Sequence, residues 1–253
     1  CTTGSRPGAT CCTCEIASRR ASGRPGRRIG AGGRLVFLRS AAYQMGMSEG
    51  QVPAQSVVSS SPPVSPAAAA TLAKQPQVIR REDYRPPAFV IDRVELRFEL
   101  EEDVSRVHAT LAIRRAPGTA ADAPLVLDGE HLVLVSAAID GRALAADEYV
   151  QAAETLTIAG VPDAFELRTV VAIKPQDNTE LTGLYRSSGN YCTQCEAEGF
   201  RRITFFLDRP DVMAKYRVTV TADQARYPVL LANGNLVDSG PLADGRHFAT
   251  WDD

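Results

Sequence analysis

The stretch VELRFELEEDVSRVHATLAIRR (94–115) decides the fold class. In its first half Val94, Leu96, Phe98 and Leu100 alternate with Glu95, Arg97, Glu99 and Glu101. In its second half Val107, Ala109, Leu111 and Ile113 keep the same period. Successive side chains of a strand point to opposite faces, so a period of two predicts two strands, each with one buried and one wet face. Between them EEDVSR (101–106) suits a hairpin turn.

Further short apolar runs extend the pattern downstream. They are LVLD (125–128), HLVLVSAAID (131–140), TLTIAG (155–160), FELRTVVAI (165–173), RITFFLD (202–208), YRVTVTAD (216–223) and YPVLLAN (227–233). Turn dipeptides separate them: Asp128-Gly129, Asp140-Gly141, Asn233-Gly234 and Asp244-Gly245. Asp140-Gly141, flanked by apolar runs, fits a type I′ hairpin turn. No amphipathic helix of three turns stands out; a single helical turn suits RPDVMAKY (209–216). Strands at this spacing indicate an all-β sandwich or barrel. The body from residue 75 to residue 253 is long enough for a real core.

Composition sets outer bounds. The 253 residues carry a net charge of −2, with 44% hydrophobic residues. That excludes a wholly disordered chain and a collagen-like repeat. No apolar run approaches the ~18 residues of a membrane-spanning helix. A near-zero charge argues against a surface built to read phosphates. The average hides two unlike parts, however. Residues 1–74 hold nine of the 28 basic residues and two of the 30 acidic ones. A domain boundary is therefore expected near residue 75. Upstream, PAQSVVSSSPPVSPAAAATL (53–72) has no charge and no aromatic residue and reads as a disordered linker. The Arg-rich beginning admits three readings: an over-extended start, since the chain begins at Cys1 and first reaches methionine at Met45; an organellar transit peptide; or a basic arm for nucleic acid. The run LVFL (35–38) is too short for the apolar core of a secretory signal.

The catalytic inventory is thin. His108, His131 and His247 form no H-E-x-x-H and no i, i+4 pair. Cys192 and Cys195 make one C-x-x-C, without the second pair a zinc ribbon needs. They read as reduced thiols, with redox or metal chemistry as the alternative. No G-x-S-x-G elbow and no phosphate-binding loop is present. One stretch is unlike the rest: YCTQCEAEGFRRITFFLDRPDVMAKY (191–216) crowds carboxylates and arginines beside two candidate strands. Such a cluster is either a solvated face or the rim of a site.

That stretch closely resembles the N-terminal domain of the aminopeptidase N family, the zinc-dependent alanyl aminopeptidases of the gluzincin group. The resemblance extends to DYRPPAF (83–89), GLYRSSGNYCTQCEAEGFR (183–201) and YPVLLANGN (227–235), and covers residues 75–253 but not 1–74. It implies a saddle-like β-sandwich that caps a thermolysin-like catalytic domain of the same polypeptide. The H-E-x-x-H and G-x-M-E-N motifs of that catalytic domain are absent here, so the chain reads as a fragment, inactive alone, with no catalytic residue and no zinc ligand of its own. Zinc would belong to the missing domain. Carried over by position, Glu196 would hold the α-ammonium of a peptide substrate and Gln194 would line the pocket for its first side chain. The plain alternative for Glu196 is an exposed carboxylate paired with Arg201 or Arg202. Glu198, Arg201, Asp208 and Arg209 are expected to fasten this loop, and Phe248 and Trp251 to lie in the core. The expected partners are peptides with a free N-terminus and the missing catalytic domain, with no nucleic acid and no membrane. The expected compartment is the cytoplasm, or an organelle if the Arg-rich start is a transit peptide. Two other classes stay open from the residues: a stand-alone β-sandwich binding module, and a C-x-x-C redox or metal protein.

Overall fold

The computed structural model describes residues 80–253 and, upstream of them, only the backbone of the strand Leu35–Phe37 (β1). The remaining expectations for residues 1–74, including disorder and the boundary near residue 75, lie outside the described residues.

The alternating pair at 94–115 forms the centre of the molecule, as strands Phe89–Glu99 (β2) and Ser105–Arg115 (β3). Their register shifts between Ile91 and Arg93. This bulge changes the phase of the alternation, so that Phe89 and Ile91 point inward on one side of it and Val94, Leu96 and Phe98 on the other. The strands that follow are Leu125–Asp128 (β4), Val133–Ile139 (β5), Arg142–Ala143 (β6), Tyr149–Gln151 (β7), Thr155–Ile158 (β8) and Ala164–Ile173 (β9). Gly183–Ser187 (β10), Asn190–Gln194 (β11), Lys215–Asp223 (β12), Val229–Leu231 (β13), Asn235–Pro241 (β14) and Arg246–Asp252 (β15) complete the set. Among the described residues there is no α-helix, only single 3-10 turns at Arg81–Asp83 and Phe200–Arg202.

Eight strands make the main sheet, in the order β14-β15-β12-β2-β3-β9-β5-β6. All its neighbours are antiparallel except β12 and β2, which are parallel and separated by more than a hundred residues of chain. Two smaller sheets, β4-β8-β7 and β10-β11-β1-β13, pack with it. One hydrophobic cluster joins all three, with Leu111, Val107 and Leu167 from the main sheet, Leu127 and Ile158 from the second, and Tyr191 and Leu230 from the third. The fold is thus an open, all-β sandwich.

The Asp140-Gly141 turn joins β5 to β6 with φ of 47° and 80°, the two positive values that a type I′ turn requires. Two local expectations fail. RITFFLD (202–208) is not a strand: it leaves the 3-10 turn at Arg202 and touches a sheet only at the Phe206–Asp128 bridge. The reason is visible in its burial, since Ile203, Thr204, Phe205 and Phe206 are all buried in succession. A flat strand wets every second residue when one face is exposed; a coiled segment between sheets buries them all. RPDVMAKY forms one hydrogen-bonded turn, the Val212 N–H on the Arg209 carbonyl at 3.2 Å, rather than a helix, and β12 begins within it at Lys215. Phe248 and Trp251 are half-buried on β15, next to the edge strand, with Trp251 packed against the core.

The β2–β3 turn is tied to the third sheet by charge. Glu102 accepts hydrogen bonds from Tyr227 Oη (2.9 Å) and Arg186 Nη1 (3.1 Å), and Arg226 lies at 3.2 Å. Burial would raise the Glu102 carboxyl, but these donors and cations outweigh it and hold it below its ordinary 4.5. A carboxylate depressed in the folded state contributes stability above its unfolded value and loses it as the pH falls through the folded one. The urea midpoint should therefore drop as the pH is lowered from 7 to 3, and Glu102→Gln should shrink that drop. An identical drop in wild type and variant would show that Glu102 carries none of it.

Candidate functional site

The site is built on the hairpin β10–β11, whose turn is Ser188-Gly189 with φ of 50° and 82°. Along β11 and just past it, Tyr191, Thr193 and Cys195 are buried, while Gln194 and Glu196 are exposed. The period of two thus places Gln194 and Glu196 on one side, facing solvent. The Gln194 amide donates to the Glu196 backbone carbonyl at 3.4 Å. The Glu196–Ala197 peptide is cis, and Gly199 turns the chain at φ 137° into the 3-10 helix. A side chain at Gly199 would be strained by that φ, and its Cβ would stand 2.9 Å from the Gln194 carbonyl oxygen.

Asp208 closes the loop from below. Its carboxylate is buried and accepts from the backbone N–H of Gly199 (2.8 Å), Phe200 (3.3 Å) and Arg201 (3.3 Å), and from Arg201 Nε (2.6 Å). Its own N–H donates to Asp128 at the end of β4 (3.0 Å). Arg201 also holds Glu198 at 2.5 Å. Arg202 holds Glu130 at 2.8 Å and Glu180 at 2.5 Å. Burial would lower the Arg201 guanidinium, yet the Asp208 hydrogen bond and charge raise it, so it is locked as a cation. Of the four residues expected to fasten this loop, Glu198, Arg201 and Asp208 do so. Arg209 ties a different segment, bonding Asp211 and the Arg85 carbonyl beneath Tyr84.

Both arginines near Glu196 are therefore engaged elsewhere. Its carboxylate makes no hydrogen bond or ion pair among the described residues, so the pairing with Arg201 or Arg202 weighed from sequence does not form. An exposed carboxylate binds a cation in water by only about 0–1 kcal/mol. Glu196 could grip an ammonium firmly only with something over it to exclude water, where a charge-assisted hydrogen bond reaches roughly 1.5–3 kcal/mol.

The other chemistry weighed from sequence finds little footing. Cys192 and Cys195 are free; burial pushes the Cys195 thiol up to about 12 and also raises Cys192. Neither has the lowered pKa of a reactive thiolate. His108 lies beside Glu99 and Arg97, His247 donates to the Tyr227 carbonyl at 2.7 Å, and His131 lines a groove that Glu180 and Arg202 also line. No group of three or more His, Cys, Asp or Glu is placed to hold a metal among the described residues, so those residues do not fit a zinc site.

Sequence reading missed the rest of the site. The hairpin that carries it has one local signal, the Ser188-Gly189 turn dipeptide. Asp128 and Glu130, which brace the loop from β4, carry no local signal at all, since they lie some seventy residues upstream. Asp128-Gly129 is not a left-handed turn: Gly129 matters because a Cβ there would meet the Phe205 ring at 2.3 Å.

Comparison with known proteins bears on the same stretch. The family model described as Peptidase M1 N-terminal domain matches residues 91–253. Aminopeptidase N of Caulobacter vibrioides is 56% identical over 178 residues, 70% of this chain and 20% of that protein. Aminopeptidase N of Escherichia coli is 44% identical over 183 residues, 72% of this chain and 20% of that protein. The chain thus spans about a fifth of the length of the curated relatives it matches. Among solved structures, Legionella pneumophila aminopeptidase A in complex with aspartic acid superposes with a TM-score of 0.64 at 33% identity, covering 68% of this chain and 20% of that one. An M1 zinc metallopeptidase from Deinococcus radiodurans shares the fold at a TM-score of 0.53 and 18% identity, over 66% of this chain and 39% of its own.

Proposed function

The chain belongs to the peptidase M1 N-terminal domain family, and from that premise we propose that it is the cap of a metalloaminopeptidase that removes N-terminal residues from peptides. In this reading Glu196 takes the α-ammonium of the substrate and Gln194 lines the pocket for its first side chain. Bond cleavage and any zinc belong to other parts of the polypeptide, and the described residues alone are inactive. The observation that carries the reading is the division of labour around β11. Arg201 and Arg202 beside the loop are engaged by other acids, while Glu196, on the same side as Gln194, has no carboxylate partner among the described residues.

A free carboxylate suits an aminopeptidase because the group that marks its substrate is a cation. Binding that cation also sets register, so that only the first peptide bond meets the cleaving machinery. The test uses the full-length polypeptide that carries this domain, assayed on an alanyl peptide and on the same peptide with its amine acetylated. The free peptide should lose its first residue and the acetylated one should be refused. Equal turnover of the two would overturn the reading.

A further inference from the structure

We infer that Asp208 is the positioning residue that aims Glu196; this rests on the reading of Glu196 given above. Loops that present a functional side chain need an anchor, because one exposed turn has few contacts of its own. The stretch from Glu196 to Glu198 lies in no strand or helix, and only at Gly199 does the 3-10 turn begin, with its carbonyl accepting from the Arg202 N–H at 3.1 Å. Besides the Glu198–Arg201 pair and the Gln194 amide on the Glu196 carbonyl, what holds it is the carboxylate at its end. Asp208, 4% exposed, gathers three consecutive backbone N–H groups, Gly199 to Arg201, and the Arg201 guanidinium.

The anchor is itself fixed from outside the loop. Asp128 accepts the Asp208 N–H, and the strand β4 that carries Asp128 exchanges two backbone bonds with Phe206, at 2.8 and 3.0 Å. Glu130 adds a backbone bond to the Arg201 carbonyl at 2.9 Å. A chain of contacts therefore runs from the second sheet, through Asp208, to the peptide units that follow Glu196. Freed of it, Glu196 would sample many directions, and a substrate amine would have to select the competent one. The apparent affinity falls by the fraction of time the loop is competent.

The test has two readouts. In the 253-residue chain, Asp208→Asn and Asp208→Ala are compared with wild type by amide hydrogen exchange. Exchange over residues 197–201 should rise about tenfold or more, while β2 and β3 stay protected. In the full-length polypeptide, Asp208→Asn should raise KM for an unblocked peptide by about tenfold with a smaller change in kcat. Placed on a Glu196→Ala background, the same change should add nothing to KM, a result that mere destabilisation would not give.

Unchanged exchange over 197–201 overturns the inference. So does additivity with Glu196→Ala, and so does unfolding of the near-isosteric Asn variant, because Asp208 would then hold the domain rather than the loop. If Glu196→Ala itself leaves KM untouched, the proposed function falls on its own, and loop exchange still decides whether Asp208 is the anchor.

Discussion

Glu196→Ala in the full-length polypeptide should lower kcat/KM for an unblocked alanyl peptide by about 10–200-fold. The size follows from the bond at stake. A charge-assisted hydrogen bond to an ammonium in a covered site contributes roughly 1.5–3 kcal/mol, and each 1.36 kcal/mol is a factor of ten. Truncation removes the acceptor without leaving a buried charge on the protein, so the domain should keep its fold: the Glu196 side chain is exposed and bonds nothing among the described residues that would be stranded. Glu196→Gln keeps an acceptor and loses the charge, and should fall between wild type and alanine. Steady-state kinetics on the three proteins decide the matter. A kcat/KM for the alanine variant within twofold of wild type would retire Glu196 as the amine acceptor.

Phe205→Ala should cost about 3–5 kcal/mol of stability, the usual range for deleting a fully buried aromatic ring. Phe205 is 1% exposed and lies in the coiled segment that joins the candidate site to β12. Its ring occupies the space that Gly129 leaves by having no side chain. For a domain of this size each kcal/mol moves the melting temperature by about 2–4 °C, so a fall of roughly 6–20 °C is expected. Phe248→Ala serves as the comparison, because that ring is half-buried beside the sheet edge and should cost distinctly less. Thermal unfolding followed by circular dichroism gives both numbers, and equal losses would show that the 203–206 segment is not part of the core.

How much of this was legible depends on how local each cause is. The alternation in 94–115 became β2 and β3 because its period is a property of neighbours in sequence. LVLD, TLTIAG and YRVTVTAD became β4, β8 and β12 for the same reason. RITFFLD misled because β-rich composition says that residues are buried, not that they are flat. Strand β10 of the hairpin lacks a clean alternation, since Gly183 and Leu184 are buried in succession and Tyr185 and Arg186 are half-buried, and β11 alternates in burial but buries the polar Thr193. Gln194 and Glu196 were identified through the likeness of their motif to a family, which no periodicity supplies. Their loop's anchor is another matter: Asp208 was within sight of the motif, but Asp128 and Glu130 were not.

By itself the amino-acid order determined that this protein would be made of strands, which of their faces would be dry, and where the chain would reverse. Those outcomes follow from side-chain period and from turn residues, each spanning a few positions. Only the tertiary structure decided that β12 lies parallel to β2, that β4 ends against the 199–208 segment, and that Arg201 and Arg202 are taken by other acids and not by Glu196. Charges do not choose partners by distance along the chain. They pair with whatever packing of apolar faces brings within a few ångströms, and that packing is settled by the whole core at once.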